Sequence, residues 1–392
     1  MTDEDRLVSG QAWRELTDSI QATVNTFIQD FGLAKTSDEM AHGYRHGSRV
    51  LVDGLISKVE AADPDFPKFR NSPGIYTKAA LENPDNYYRT TTPMSDSGSY
   101  YVYGNIGSAH LVTFNIVDPV SATSLGSLTR DNLKMNGGDF EILISTQKPG
   151  GFDGNYLPLV NGTVLVVREI FNDWEHEYRG EMRIVKPGME GKSPQRISAQ
   201  SIAQRLDNVA TAVTSIWQTY TFGYKNICDN MPVNSISPPD AIASNPQTVS
   251  GNACLEIADD EAAIITTDVP ATDHYFNFML ANTYLESLDY ANRTGSLNQA
   301  QTHINDDGKI RLVVTKNDPM VQNWLDPEGL NHIFFSYRWI KTDVLLPTPS
   351  VMIVPANSVK SHIPASTPDF TSNDRLEQIK VRQKHVAHRY SY

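Results

Sequence analysis

The sequence predicts a mainly β protein with helical additions: two β-sandwich units, a helical N-terminal segment and a helix between the units. Three observations carry this. Apolar residues recur at helical spacing over the first sixty or so positions and again near residue 200. Short β-branched and aromatic runs bounded by Gly, Pro and Asn follow each helical stretch, which is the strand signature. The two strand-rich stretches also echo one another in order and spacing. The resulting division is 1–63 helical, 64–195 first sandwich, 196–252 helix and linker, 253–360 second sandwich and 361–392 a C-terminal tail helix.

Trp13, Leu16, Ile20, Val24, Phe27 and Phe31 fall three or four apart, which predicts one buried helical stripe. Thr36 and Glu39 form a capping box for a second helix burying Met40, Tyr44, Leu51, Leu55 and Val59 and stopping at Asp63-Pro64. Residues 64–98, rich in Pro, Asn, Asp and Ser, predict ordered loop. Tyr101–Tyr103, Leu111–Val117, Phe140–Ser145 and Thr163–Phe171 predict strands. A third helix over about 198–220 places Ile202, Leu206, Val209, Val213, Ile216 and Tyr220 on one face beside Trp217. Leu255 to Val354 is β-rich again, with a tight hairpin at Asn305-Asp306-Asp307-Gly308.

The echo is specific. Gly126-Ser127-Leu128 returns as Gly295-Ser296-Leu297, and Phe140–Ser145 as Ile310–Thr315. Asn155-Tyr156-Leu157-Pro158 returns as Asn323-Trp324-Leu325-Asp326-Pro327, and Arg168 as Arg338. The offset stays near 169 residues and the register is lost upstream of residue 126. Internal duplication explains this better than a chance likeness of antiparallel strands.

Lysine plus arginine number 33 and aspartate plus glutamate 46, a net charge of −13 that argues against nucleic acid as a partner. Hydrophobic residues at 40% suffice for a core and exclude a disordered chain. No apolar run approaches the roughly 18 residues of a membrane helix, so no membrane is expected. The charged start Met1–Arg6 is unlike a signal peptide, and two cysteines, Cys228 and Cys254, make no disulfide framework. The expectation is a soluble, cytoplasmic protein whose partner is a small-molecule ligand, with homo-oligomerisation left open.

Tyr275–Phe278, Glu286–Tyr290, Gly295–Asn298, Asp318-Pro319, Asn323–Asp326 and Arg338-Trp339 together carry a resemblance. The stretch at about 270–345 resembles the bacterial jelly-roll family called domain of unknown function twelve-fourteen, often joined to a companion domain, twelve-fifty-four. Asn83–Tyr87, Tyr100–Tyr103, Gly107–His110 and the basic C-terminal helix are more loosely similar to it. The resemblance implies a helical N-terminal part and jelly-roll units. It brings no catalytic residues.

Familiar catalytic signatures are missing. There is no Gly-x-Ser-x-Gly elbow, and Gly188–Ser193 only imitates a phosphate loop because Lys186 stands where its first glycine belongs. His42 and His46 lie four apart on a helix but lack the glutamate of a zinc motif, so neither a metal nor any other cofactor is expected. Asp173, Glu175 and Glu177 alternate as though on one side of an extended segment, a solvated strand end rather than an acid–base group. Asn155 and Asn323, at equivalent echo positions, predict a shared turn role. The basic tail Arg375–Arg389 predicts a clasp on the acidic body or on a neighbouring subunit.

The densest polar–aromatic cluster is at residues 282–292. If this segment is extended, Asn282, Tyr284, Glu286 and Leu288 share a face. Glu286 or Asp289 would then be the general base and Tyr284 or Tyr290 the proton donor or stacking platform. Arg338, Asn282, Trp324 and Trp339 are the candidate substrate contacts. An Arg338–Asp289 ion pair inside an ordinary core is the competing reading. The functional expectation is hydrolysis or elimination on a small organic or sugar-like molecule in an aromatic-lined cleft. The alternative is a non-catalytic binding or oligomeric scaffold protein, in which the same carboxylates are tied up by arginines.

Overall fold

The computed structural model describes residues 1–271, 275–340 and 346–391. The expected β-rich stretch Leu255–Val354 includes 272–274 and 341–345, which lie outside the described residues.

Helix α1 (Asp3–Val8) leads into α2 (Gln11–Val24), which continues through a π-helical turn at Asn25–Asp30. Helix α3 (Ser37–Leu55) starts at the expected capping box, with the Thr36 side chain accepting from the Glu39 amide, and ends after a wide turn at Ile56–Glu60. Helix α4 (Ala199–Asp229) runs longer than the spacing predicts, and α1 to α4 pack around Leu16, Phe27, Val50, Val213 and Trp217.

Two stripe assignments are corrected. Trp13 is 56% exposed, and Met40 and Tyr44 also face solvent. The buried face of α3 carries Gly43, His46, Gly47, Val50 and Gly54. Its glycines let the backbone approach Tyr284, Trp217 and Val213 closely, a contact that counting large apolar residues overlooks.

The first sandwich has eight main strands. These are β1 (Asn86–Thr91), β2 (Tyr100–Asn105), β3 (Leu111–Asp118), β4 (Thr123–Thr129), β5 (Asp139–Ser145), β6 (Asn155–Pro158), β7 (Val164–Ile170) and β8 (Glu181–Val185). One sheet runs β1-β7-β3-β4 and the other β8-β2-β5-β6, with β5 and β6 parallel. The second sandwich has β9 (Thr248–Glu256), β10 (Glu261–Asp268), β11 (Phe276–Ala281), β12 (Ser296–Asn298), β13 (Lys309–Val314), β14 (Trp324–Leu325), β15 (His332–Ile340) and β16 (Ser350–Pro355). Its sheets run β9-β15-β11-β12 and β16-β10-β13-β14, with β13 and β14 parallel. Each strand of the second unit takes the place of its counterpart in the first. Two-residue strands at 69–70, 135–136 and 240–241 extend three of the sheets.

Within each unit the facing sheets share an apolar core, with Phe114, Ile142 and Leu165 in the first and Phe278, Leu312 and Phe335 in the second. The expected turn at Asn305–Gly308 forms, with Gly308 at φ 75°. The echo-related asparagines play one role. Asn155 bonds both backbone groups of Lys134 and the Glu141 carbonyl, and Asn323 bonds both backbone groups of His303 and the Arg311 carbonyl.

The units meet through a buried polar network. Asp85 accepts from the Tyr275 hydroxyl and Asn277 on one oxygen, and from Trp174 Nε1 and Asn298 on the other. Helix α5 (Ser372–Tyr390) clasps both units of its own chain: Arg389 donates to the Pro84 carbonyl, Arg382 to the Tyr290 and Ser296 carbonyls, and Arg375 to Asp318. Asp173–Glu177 is a turn rather than an extended segment, because the Glu177 amide bonds the Asp173 carbonyl and Trp174 is buried.

A disulfide joins Cys228 at the end of α4 to Cys254 in β9. The two cysteines thus form a single cross-link, where the sequence showed only the lack of a framework. No described helix is long and apolar enough to cross a membrane.

Candidate functional site

The site grows from the connection between β11 and β12. In the first unit the equivalent β3–β4 hairpin needs only residues 119–122, whereas the second unit spends residues 282–295. The extra chain folds into compact turns. Asn282 Oδ1 accepts from the Tyr284 and Glu286 amides, the Leu285 amide bonds the Asn282 carbonyl, and Leu285 sits at φ 55°. The segment is therefore not extended. Side chains that an extended strand would have aligned are dealt to different sides, Tyr284 against α3 and α4 and Leu288 into the second core.

A cleft of about 560 Å³ opens between this loop, helix α3 and residues 75–78. Helix α3 contributes His42, Arg45 and Arg49 at helical spacing, and the loop contributes Asn282, Glu286, Ser287, Asp289 and Tyr290. Tyr76 and Lys78 close a third side.

Glu286 is fully buried and fully engaged. It accepts from His46 Nδ1 at 2.9 Å, Arg49 Nη1 at 2.8 Å and Asn282 Nδ2 at 3.2 Å. Burial by itself would raise its pKa, but the His46 hydrogen bond and the charges of Arg49 and Lys78 outweigh that and hold it below the ordinary glutamate value. An ionised carboxylate only accepts, so His46 must carry its proton on Nδ1. Glu286 thereby fixes Arg49 at the cleft wall and leaves the rest of that guanidinium available.

Deeper in, Lys78 Nζ donates to the Ser287 and Leu288 carbonyls, each at 2.7 Å, and to Ser287 Oγ at 3.1 Å. Ser287 Oγ in turn donates to Glu82 Oε1. Burial pulls the Lys78 ammonium below its usual range and lifts the Glu82 carboxyl to about 7, against the attraction of the two for each other.

Asp289 is half-buried and accepts from the Ala291 and Asn292 amides and the Asn292 side chain. Burial acts to raise its pKa, and these hydrogen bonds bring it below the ordinary value, so it is a turn cap and a weak base. Tyr290 shares a hydrogen bond with Tyr390 at 3.1 Å, and burial raises its pKa well above 10.

The remaining candidates lie elsewhere. Tyr284 is sealed between His46, Trp217 and Gly43 and does not line the cleft. Arg338 donates to the Leu81 carbonyl and contacts Met279 Sδ, so it neither reaches a ligand nor pairs with Asp289. Trp339 belongs to the second core with its Nε1 on the Pro347 carbonyl, and Trp324 packs outside that core beneath Arg375. The echo aligned Arg338 and Trp324 with strands, and strand membership says nothing about nearness to the loop.

His46, Arg49, Lys78, Glu82 and Ser287 were not singled out as site residues. The one available signal was the four-residue spacing of His42 and His46 on a helix, which was weighed as a metal pair and set aside without Arg49 being joined to it. Among the described residues, no group of three or more His, Cys, Asp or Glu is placed to hold a metal ion.

No family model matches the chain, and no curated protein matches it. Among solved structures, the chain is similar to an uncharacterized protein from Burkholderia cenocepacia, with 24% identity and a TM-score of 0.82 over 91% of this chain and 99% of that one. The same fold therefore extends over nearly the whole of both chains. A protein from Vibrio parahaemolyticus matches with 9% identity and a TM-score of 0.45 over 85% of this chain and 100% of that one.

Proposed function

We propose that this protein handles a small organic acid, bound in the cleft between α3 and the 282–295 loop. The carrying observation is the balance of unspent hydrogen-bonding groups there. The acids are occupied: Glu286 by His46 and Arg49, Asp289 by its own turn, and Glu328 by the Asp289 amide. Lys78 is spent on Ser287 and Leu288, but the two arginines of α3 are not. Arg45 is exposed and makes no hydrogen bond or ion pair to a described residue, and Arg49 commits only Nη1. A carboxylate or phosphate can take two parallel N–H bonds from such a guanidinium.

The test is calorimetry with small mono- and dicarboxylates, sugar acids and their neutral analogues. Acids should bind and Arg45→Ala should weaken them about tenfold, roughly 1.4 kcal/mol, with an unchanged melting temperature because Arg45 is exposed. Equal binding of neutral analogues, indifferent to Arg45, would sink the reading. One observation favours a non-catalytic binding protein within the same cleft: Glu286, the obvious acid–base candidate, is tied up by Arg49.

The matched strand orders and the twin roles of Asn155 and Asn323 support descent of the units by internal duplication. The likeness of residues 270–345 to the twelve-fourteen family rests on the residues quoted above. For location, the Cys228–Cys254 bond supports an oxidising compartment over the expected cytoplasm, since mesophilic cytosolic proteins seldom keep structural disulfides.

A further inference from the structure

The geometry points to Ser287 as a nucleophile, with Glu82 as its base, in the hydrolysis of an ester whose acyl part carries a second, ionised carboxylate. This rests on the organic-acid reading of the cleft and adds chemistry to it. Ser287 lines the cleft and supplies the hydroxyl of a buried hydroxyl–carboxylate–ammonium chain with Glu82 and Lys78. Its Oγ donates to Glu82 Oε1, its amide lies 3.4 Å from Glu82 Oε2, and Lys78 Nζ reaches Oγ at 3.1 Å. A serine becomes nucleophilic when an adjacent base can take its proton, and that base works best when its pKa lies near the working pH. Glu82 is lifted to about 7, mainly by burial.

The backbone is held to this purpose from both sides. Ala80 and Leu81 sit at φ 64° and 53° just before Glu82, and Leu285 at 55° just before the Glu286–Ser287 pair. The two bends are tied by the Leu81 amide on the Leu285 carbonyl at 2.8 Å. Left-handed non-glycine residues are costly, and where they cluster they are often part of a functional site.

The step balances without a co-reactant other than water. Ser287 Oγ forms a bond to the ester carbonyl carbon as its proton passes to Glu82, and the carbonyl π pair moves onto oxygen. Collapse breaks the bond to the alcohol, which leaves with the Glu82 proton. Water then loses a proton to Glu82 and attacks the acyl carbon, and Ser287 Oγ leaves and recovers that proton. Arg45 and Arg49 hold the distant carboxylate. Lys78, anchored on two carbonyls, places its positive charge beside Oγ through the attack.

The charged and titratable groups facing Glu82 are Lys78 on its own segment, Glu286 and Tyr290 of the loop, Tyr88 of β1 and Tyr390 of α5. All three tyrosines are pushed above their ordinary range, chiefly by burial. Turnover should therefore rise with pH through about 7 as Glu82 ionises.

The test uses the full chain with mono-4-nitrophenyl adipate, and a fluorophosphonate label located by peptide mass. Wild type should release nitrophenol and carry the label on Ser287. Ser287→Ala should lose both, with turnover down at least ~10³-fold, while binding of adipate persists. Glu82→Gln should cost ~100-fold and abolish the rise near neutral pH. Ser287→Cys, a close match in shape, should still accumulate an acyl-enzyme, which guards against a loss caused by misfolding. Adipate binding without turnover or label in wild type would overturn the nucleophile and leave the binding reading standing. Labelling at Ser287 without adipate binding would do the reverse. Turnover that survives in Ser287→Ala would also overturn the proposal.

Discussion

The two sandwich units share a strand order, a parallel edge and an asparagine clamp, and the second adds a cleft at its β11–β12 connection. Twelve positions separate the paired Asn115 and Ser127, and seventeen separate the equivalent Met279 and Ser296. That five-residue difference is why the echo loses register upstream of residue 126. The short β3–β4 turn stands in solvent, with Val120 93% exposed. Most of the long connection is buried, because α3 lies over it and Glu286 bonds to His46 and Arg49. A common scaffold thus acquires a site where a loop outgrows its hairpin and a helix covers it.

The largest break in this comparison should come from Glu286→Leu. It leaves Arg49 and the His46 proton without their acceptor, and loss of one partner from a buried charged pair costs about 3–5 kcal/mol. Urea unfolding would read this, and a loss under 1 kcal/mol would show that the helix does not hold the loop. Replacing Cys228 and Cys254 together by serine removes a cross-link with a sequence separation of 26. Chain entropy puts the loss at about 3.5 kcal/mol, measured as a lower urea midpoint. In Gly43→Ala the new methyl would lie 2.5 Å from the Tyr284 hydroxyl, an overpacking worth about 1–3 kcal/mol.

Acid should separate the units. His385 of α5, packed on Phe171 and Trp174 of the first unit, has its pKa pushed down to about 2 by burial and by Arg389. The unfolded chain binds a proton there below about 6.5 and the folded one does not, so stability falls by about 1.4 kcal/mol per pH unit below that point. The Glu286 pKa is depressed instead, so its contribution is present above about 4.3, the unfolded value, and is lost as pH falls through its folded value. Stability against pH should show the first loss near 6.5, flattened in His385→Leu, and the second only below about 4.3. The smallest effect is expected at the exposed hairpin, where Val120→Ala should shift stability by less than about 0.5 kcal/mol.

Much of the fold was legible because its signals are local. The capping box at Thr36 and Glu39, the Asp-Gly turn and the strand runs each act within a few residues. The echo is legible too, because equivalent strands keep equivalent patterns. The 282–292 cluster marked the site region through its density of polar and aromatic groups, although the role expected for Asp289 gave way to turn capping. The phase of α3 was misread because glycine and histidine carry its buried face. Lys78 and Glu82 lie in an irregular segment with no period to expose them.

By itself the sequence determined the order of helices and strands, the doubling of the sandwich pattern and the stretch of chain in which polar groups gather. Those features follow from backbone preferences and from apolar spacing along one segment. Tertiary structure decided the partners: His46 and Arg49 with Glu286 some 240 positions away, Lys78 and Glu82 with Ser287, Cys228 with Cys254. Each pairing depends on which surfaces close over one another when the core forms; in that closed space desolvation lifts the Glu82 carboxyl, while the His46 hydrogen bond and the Arg49 and Lys78 charges outweigh it at Glu286.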